Sequence, residues 1–169
     1  MKKTIALILF AFVFKMVSSQ SNEIRVDVFD ILALLALDVT YEHNLNTESS
    51  IGISALFNFA DKDLSFRYQE ELVITTYYRQ RLYSRGNFDY FGELFGALNK
   101  GDVDQSKLLK IGDDPSYTDF AMGLSFGGKF VSPNGFVADM YVGIGRNFFN
   151  TDFSPDIVPR VGISVGKRF

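Results

Sequence analysis

The stretch Thr118 to Val131, TDFAMGLSFGGKFV, decides the fold. Phe120, Met122, Leu124, Phe126 and Phe130 occupy one phase of it, and Asp119, Ala121, Gly123, Ser125, Gly127 and Lys129 the other. A period of two sends these sets to opposite faces of a β-strand, whereas a helix would mix them. One face is apolar and bulky, the other small or charged.

The same pattern recurs on both sides. Between Gly135 and Phe149, Phe136, Ala138, Met140, Val142 and Ile144 alternate with Asp139, Tyr141, Gly143, Gly145 and Asn147. In the final segment Val161, Ile163, Val165 and Phe169 oppose Arg160, Gly162, Ser164, Gly166 and Arg168. Extended over the chain, the rule predicts strands at Glu23–Leu32, Ala36–Leu45, Ser50–Ala60, Arg67–Leu82, Phe88–Lys100, Thr118–Val131, Gly135–Phe149 and Pro159–Phe169. Most exceed the roughly nine to eleven residues that a tilted strand needs to cross a bilayer, while strands of soluble sheets average about five or six. The connections at Asn46–Ser49, Tyr83–Asn87 and Ser132–Asn134 are short and rich in turn residues. Those at Asp61–Phe66, Gly101–Tyr117 and Asn150–Val158 are longer, although the first of that set, at Ala33–Leu35, is short. An even strand number puts both ends of the chain on the short-turn side, as in outer-membrane barrels.

Composition narrows the chemistry. The 169 residues suit one domain. The absence of Cys removes disulfides, thiolate metal sites and a lipid-anchored N-terminal Cys, and a single His removes any multi-histidine centre. No cofactor or metal is expected. Residues 1–19 form an expected signal peptide, with Lys2 and Lys3 before the apolar run Ile5–Phe14, and Val17 and Ser19 at the cleavage positions before Gln20. Its removal takes three lysines and no acid, which moves the net charge from −3 to −6 and argues against nucleic acid as a partner. The mature domain is then 20–169.

The charges inside strands follow a phase. Glu42, Glu71, Arg79, Arg81, Asp89, Glu93, Lys129, Asp139 and Arg160 all fall opposite the aliphatic face. In a closed barrel that face meets the lumen, where acids and bases pair and glycines relieve crowding. The apolar faces, including Phe120, Met122, Leu124, Phe126, Phe136, Met140, Val142 and Ile144, then face lipid. Two strands break the pattern. Asp89 and Glu93 share a phase with Phe91 and Phe95, which leaves Gly92 and Gly96 facing outward, and Asp30 falls in phase with Val26 and Val28. A bulge would reset either one.

The last nine residues, VGISVGKRF, with Val161, Ile163, Val165 and Phe169 in one phase, resemble the C-terminal signal of bacterial outer-membrane barrels. The whole mature chain resembles the small eight-stranded barrels of the outer-membrane protein A and X type, and more closely the uncharacterised small barrel proteins of Gram-negative genomes. That resemblance implies an all-β, eight-stranded antiparallel up-and-down transmembrane β-barrel in the outer membrane of a Gram-negative cell. It also implies recognition by the barrel-assembly machinery, contact with outer-membrane lipid and lipopolysaccharide, and a monomer. The chain departs from better-known members in lacking Trp, so an interface girdle would use Tyr41, Phe57, Tyr78, Phe130 and Phe136.

Three features invite chemistry. His43, beside Glu42, is either a general base of a lipid-modifying enzyme or an interface residue near a strand end, and no Ser is marked as its nucleophile. Asp102, Asp104, Asp113, Asp114 and Asp119, with Asp61 and Asp63, could hold calcium but lack the spacing of a calcium loop. The strand charges could line an ion path or close the lumen by pairing. The reading expected from these is a structural or surface-interaction barrel without enzymatic activity. Its alternatives are a lipid-modifying enzyme centred on His43 and an exported lipocalin-like barrel that holds a small hydrophobic ligand on an inward apolar face.

Overall fold

The computed structural model describes residues 21–59, 70–102, 116–149 and 155–169. The expected signal peptide lies outside them. The elements are β1 (Asn22–Asp27), α1 (Val28–Leu34), β2 (Ala36–Asn44), β3 (Ser49–Asn58), β4 (Glu70–Arg85), β5 (Phe88–Asp102), β6 (Ser116–Val131), β7 (Phe136–Asn147) and β8 (Ile157–Arg168). Each strand pairs antiparallel with its sequence neighbour, and β8 returns to β1 to close an eight-stranded barrel. Following the register once around, from Lys167 through Ile24, Tyr41, Ile53, Thr76, Gly96, Met122 and Arg146, leads back to β8 at Ile157, ten residues nearer its start. Such a stagger tilts the strands, and eight of them enclose a space that side chains fill.

Both described ends and the three tight turns lie at one rim. Asn22 and Phe169 exchange backbone hydrogen bonds there at 3.0 and 2.8 Å. Asn46 Oδ1 accepts from the Glu48 and Ser49 amides at 2.7 and 2.9 Å, which shapes the β2–β3 turn. Gly86 turns β4 into β5 with φ 63°. Gly135, with φ 77°, brings its Cα so close to Arg168 that a Cβ would lie 2.8 Å from the Arg168 carbonyl oxygen.

The first predicted strand needs correction. Pairing stops at Asp27, and Val28–Leu34 is a helix instead of the continuation to Leu32. Asp27 caps it, its carboxylate accepting from Phe29 N at 2.9 Å and Asp30 N at 3.2 Å. Leu32, Ala33 and Leu34, good helix formers, close the segment, and the alternation that would favour a strand is lost after Asp27. The helix ends at Leu35, which takes φ 52°. Its turn of the chain resets the phase, so Asp30 is buried while Ile31 and Leu32 are exposed. The fifth strand needs no bulge at its middle: Phe91, Glu93 and Phe95 point inward together, and Gly92 and Gly96 outward.

Candidate functional site

The interior of the short-turn half is a charge layer. Glu42, on β2, lies at its centre. Its Oε2 is 2.7 Å from Arg25 Nη2 and 3.2 Å from Arg79 Nη1, and accepts from the Tyr77 hydroxyl at 2.7 Å. Its Oε1 accepts from Lys129 Nζ at 2.5 Å and Ser50 Oγ at 2.8 Å. Arg79 reaches onward to Glu93 Oε2 at 2.6 Å and Asp139 Oδ2 at 2.9 Å. Arg160 donates to Glu93 and, at 3.2 Å, to Ser125 Oγ. Glu23 joins Arg25 at 2.6 Å, Lys129 at 2.9 Å and, near the rim, Arg168 at 2.5 Å. The acids Glu23, Glu42, Glu93 and Asp139 are thus matched by Arg25, Arg79, Lys129 and Arg160, all buried.

Inward aromatics complete the packing. The Arg79 guanidinium lies 3.7 Å from the Phe91 ring centroid, and that of Arg160 lies 4.6 Å from Tyr141 and 5.1 Å from Phe95. Glycines on the facing strands make the room. A Cβ on Gly127 would meet the Phe91 ring at 2.5 Å, and one on Gly123 the Phe95 ring at 2.5 Å. Beside the layer, at the short-turn mouth, a cavity of about 30 Å³ touches Glu42, Arg79 and Lys129, space for about one or two water molecules.

Six of the nine charges assigned to the interior by phase, Glu42, Arg79, Glu93, Lys129, Asp139 and Arg160, meet in this layer. Arg81 and Asp89 pair with each other at 3.0 Å but at the rim, 32% and 15% exposed. Glu71 does not enter: a register shift between Glu70 and Leu72 leaves it unopposed on β5, and it is exposed. Extra residues of this kind lose the strand's phase. Sequence reasoning missed Glu23, Arg25 and Asp27, buried on β1. Their alternation with Ile24 and Val26 carried the signal, which the phase of Asp30 obscured. Asp38, also missed, is buried on the same face of β2 as Glu42.

The other sequence candidates lie elsewhere. Phe120, Met122, Leu124, Phe126, Phe136, Met140, Val142 and Ile144 point outward, with Phe126 59% and Val142 65% exposed. Val161, Ile163, Val165 and Phe169 lie along the outer side of β8 and its end. This orientation is the reverse of a soluble ligand-holding barrel. Asp119 is no loop ligand: it is buried on β6 and accepts from Phe149 N at 2.9 Å. Asp61, Asp63, Asp104, Asp113 and Asp114 lie outside the described residues, and among the described residues no group of three or more His, Asp or Glu could hold a metal ion. His43 is on the outer face near the end of β2, its Nδ1 2.8 Å from Asn22 Oδ1.

Neither a protein-family model nor a curated protein matches the chain. Among solved structures, the crystal structure of Neisserial surface protein A (NspA) is similar with a TM-score of 0.55 over 88% of this chain and 94% of that one, at 11% sequence identity. The backbone structure of the Yersinia pestis outer membrane protein Ail in a phospholipid bilayer nanodisc covers 88% of this chain and 99% of its own, at 15% identity and a TM-score of 0.45. The likeness to NspA is one of fold, and the fold is the closed eight-stranded barrel of the small outer-membrane proteins that the sequence resembles.

Proposed function

We propose that this chain is a structural or surface-interaction protein of a Gram-negative outer membrane, a barrel closed inside that works through its long connections. One observation carries the reading: polarity is inverted, with a bulky apolar wall exposed and a balanced charge layer buried. An exposed apolar surface that encircles a domain far exceeds what a soluble monomer carries, and lipid is the medium that covers it. No described helix is long and apolar enough to cross a membrane, so the strands do the crossing. Aromatic side chains lie toward both rims, Tyr41, Phe88 and Phe136 at one and Phe57, Phe59 and Phe148 at the other, where the headgroup regions of a bilayer favour them.

In this reading residues 1–19 direct export and are cleaved before Gln20, and the short turns face the periplasm. The barrel-assembly machinery reads Val161, Ile163, Val165 and Phe169, and the mature monomer sits among phospholipid and lipopolysaccharide. Neisserial surface protein A is by its name a surface protein, and we assign this chain a similar station. The paired charge layer supports an interior closed to ions. Membrane fractionation tests the placement: the protein is expected in the outer-membrane fraction, released only by detergent, beginning at Gln20 and migrating faster unheated than boiled. Recovery from a periplasmic extract without detergent overturns the placement, and single-channel steps in planar bilayers overturn the closed interior.

A further inference from the structure

The outer wall is interrupted by a groove of about 590 Å³. Its floor is Thr76 on β4 and Gly96 on β5, direct cross-strand partners and the smallest outward residues of their row. Ile53 and Met122, next in that row on either side, form its banks, and the Phe120 ring leans over Gly96, where a Cβ would meet it at 3.2 Å. The Thr76 hydroxyl points across the strands to the Gly96 carbonyl at 3.4 Å, so the floor presents little free polarity. The groove descends to His43 and Tyr41, and His43 is the penultimate residue of β2 at the short-turn rim.

That lower edge is polar and ordered. Asn22 Oδ1 accepts from the Tyr41 hydroxyl at 2.8 Å and lies 2.8 Å from His43 Nδ1. An amide oxygen can only accept, so in the neutral ring Nδ1 is the donor to it and Nε2 the acceptor. The groove is thus apolar at mid-wall with a hydrogen-bond acceptor at the rim, the shape of an amphiphile standing upright in the leaflet on the short-turn side. We propose that it seats one phospholipid with a primary ammonium headgroup, the acyl chain against Thr76 and Gly96 and the ammonium donating to His43 Nε2. This rests on the membrane placement above. Lipid tails are as apolar as the wall itself, so apolar surface alone selects nothing. The selection comes from the dent, which takes one chain, and from a charge-assisted hydrogen bond that an ammonium makes more strongly than a glycerol hydroxyl.

Native mass spectrometry of the full chain, released from mixed phosphatidylethanolamine and phosphatidylglycerol vesicles, tests this. The wild type is expected to keep one phosphatidylethanolamine in about tenfold preference, the worth of one hydrogen bond to a charged group. Thr76→Phe, which fills the floor, should abolish retention of both lipids, and Gly96→Leu should do the same by displacing Phe120. His43→Ala should bring the two lipids to parity, and Val142→Phe on another part of the wall should change nothing. All four positions point outward, and heat-modifiable migration reports that each variant is folded. Equal retention of the two lipids by the wild type, retention that survives both filling variants, or a dimer that Thr76→Phe disperses would each overturn the proposal. A chain that needs detergent for release yet keeps no lipid overturns the groove site alone, whereas a chain soluble without detergent overturns the membrane placement beneath it.

Discussion

The wall formed by β4, β5 and β6 and the seam formed by β8, β1 and β2 are built from the same kind of alternating sequence, yet only the wall runs the height of the barrel. β5 pairs with β6 from Phe88 to Asp102 without a break. β1 meets β2 only along Asn22–Val26 and β8 only along Glu23–Asp27. Above that level the edges of β8 and β2 are joined by α1, which packs against both. The Asp27 carboxylate, besides capping the helix, accepts from Ile163 N at 3.2 Å, the amide next along β8 after the ladder ends at Ser164. A side chain and a short helix here replace a backbone ladder. The helix shows Leu32, 79% exposed, to the outside and buries Asp30, so the wall's polarity is kept where its hydrogen bonding is not.

Charge ties the two regions together in the lower half, and removing it should have the largest effect. Arg79 of the wall holds Glu42, Glu93 and Asp139. Arg79→Ala leaves those buried carboxylates short of a cation, a loss of about 3–5 kcal/mol. Arg79→Lys should recover only part, because one ammonium cannot replace a forked guanidinium. Arg168, from the seam, meets Glu23 nearer the rim and is 17% exposed, and Glu23 keeps Arg25 and Lys129, so Arg168→Ala should cost less, about 1–2 kcal/mol. Urea unfolding in detergent, followed by far-UV circular dichroism because the chain has no Trp, measures both. Equal losses would mean that depth in the layer does not set the worth of a charge.

A smaller effect should separate the regions. Asp27→Ala removes the cap of α1 and the partner of Ile163 N together, about 1–3 kcal/mol locally. Hydrogen exchange at Phe29, Asp30 and Ile163 should quicken about tenfold or more while amides of β5 keep their protection. Faster exchange in β5 to the same degree would show that seam and wall open as one unit.

The same contrast marks what could be read from sequence. In β6, β7 and β8 most large outward residues alternate with small or charged ones, so fold, strand number and phase were legible there. Where phase was ambiguous, the cause was local. In β5 the strand's own alternation sets the apolar Phe91 and Phe95 beside Glu93 on one face. The reason that face takes them is cross-strand: Gly123 and Gly127 make room for the rings and Arg79 and Arg160 cover them. No single strand contains that information. In the seam, Glu23, Arg25 and Asp27 alternate as clearly as any residues in the chain, but Asp30 falls out of their phase because Asp27 starts a helix there. Glu71 shows the reverse case, a residue in phase by count and out of the interior because β4 carries an extra residue there. The groove was invisible, since Thr76 and Gly96 become neighbours only through the register.

The smallest effect has the opposite sign. Leu35 ends α1 with φ 52°, the one non-glycine residue with positive φ among those described, and its amide closes the helix on the Asp30 carbonyl. A left-handed residue with a Cβ costs about 1–2 kcal/mol, and glycine, the usual residue at this position, would relieve it. Glycine also gains freedom in the unfolded chain, worth about 0.5–1 kcal/mol against it, so Leu35→Gly should stabilise the end of α1 by about 0.5–1 kcal/mol. Exchange should slow about two- to fivefold at Leu35 and at Phe59, whose amide donates to the Leu35 carbonyl at 3.2 Å. The outward Leu35 side chain is 60% exposed, so little packing is lost. Faster exchange instead would mean that this side chain, and not the cap geometry, holds the helix in the gap between β8 and β2.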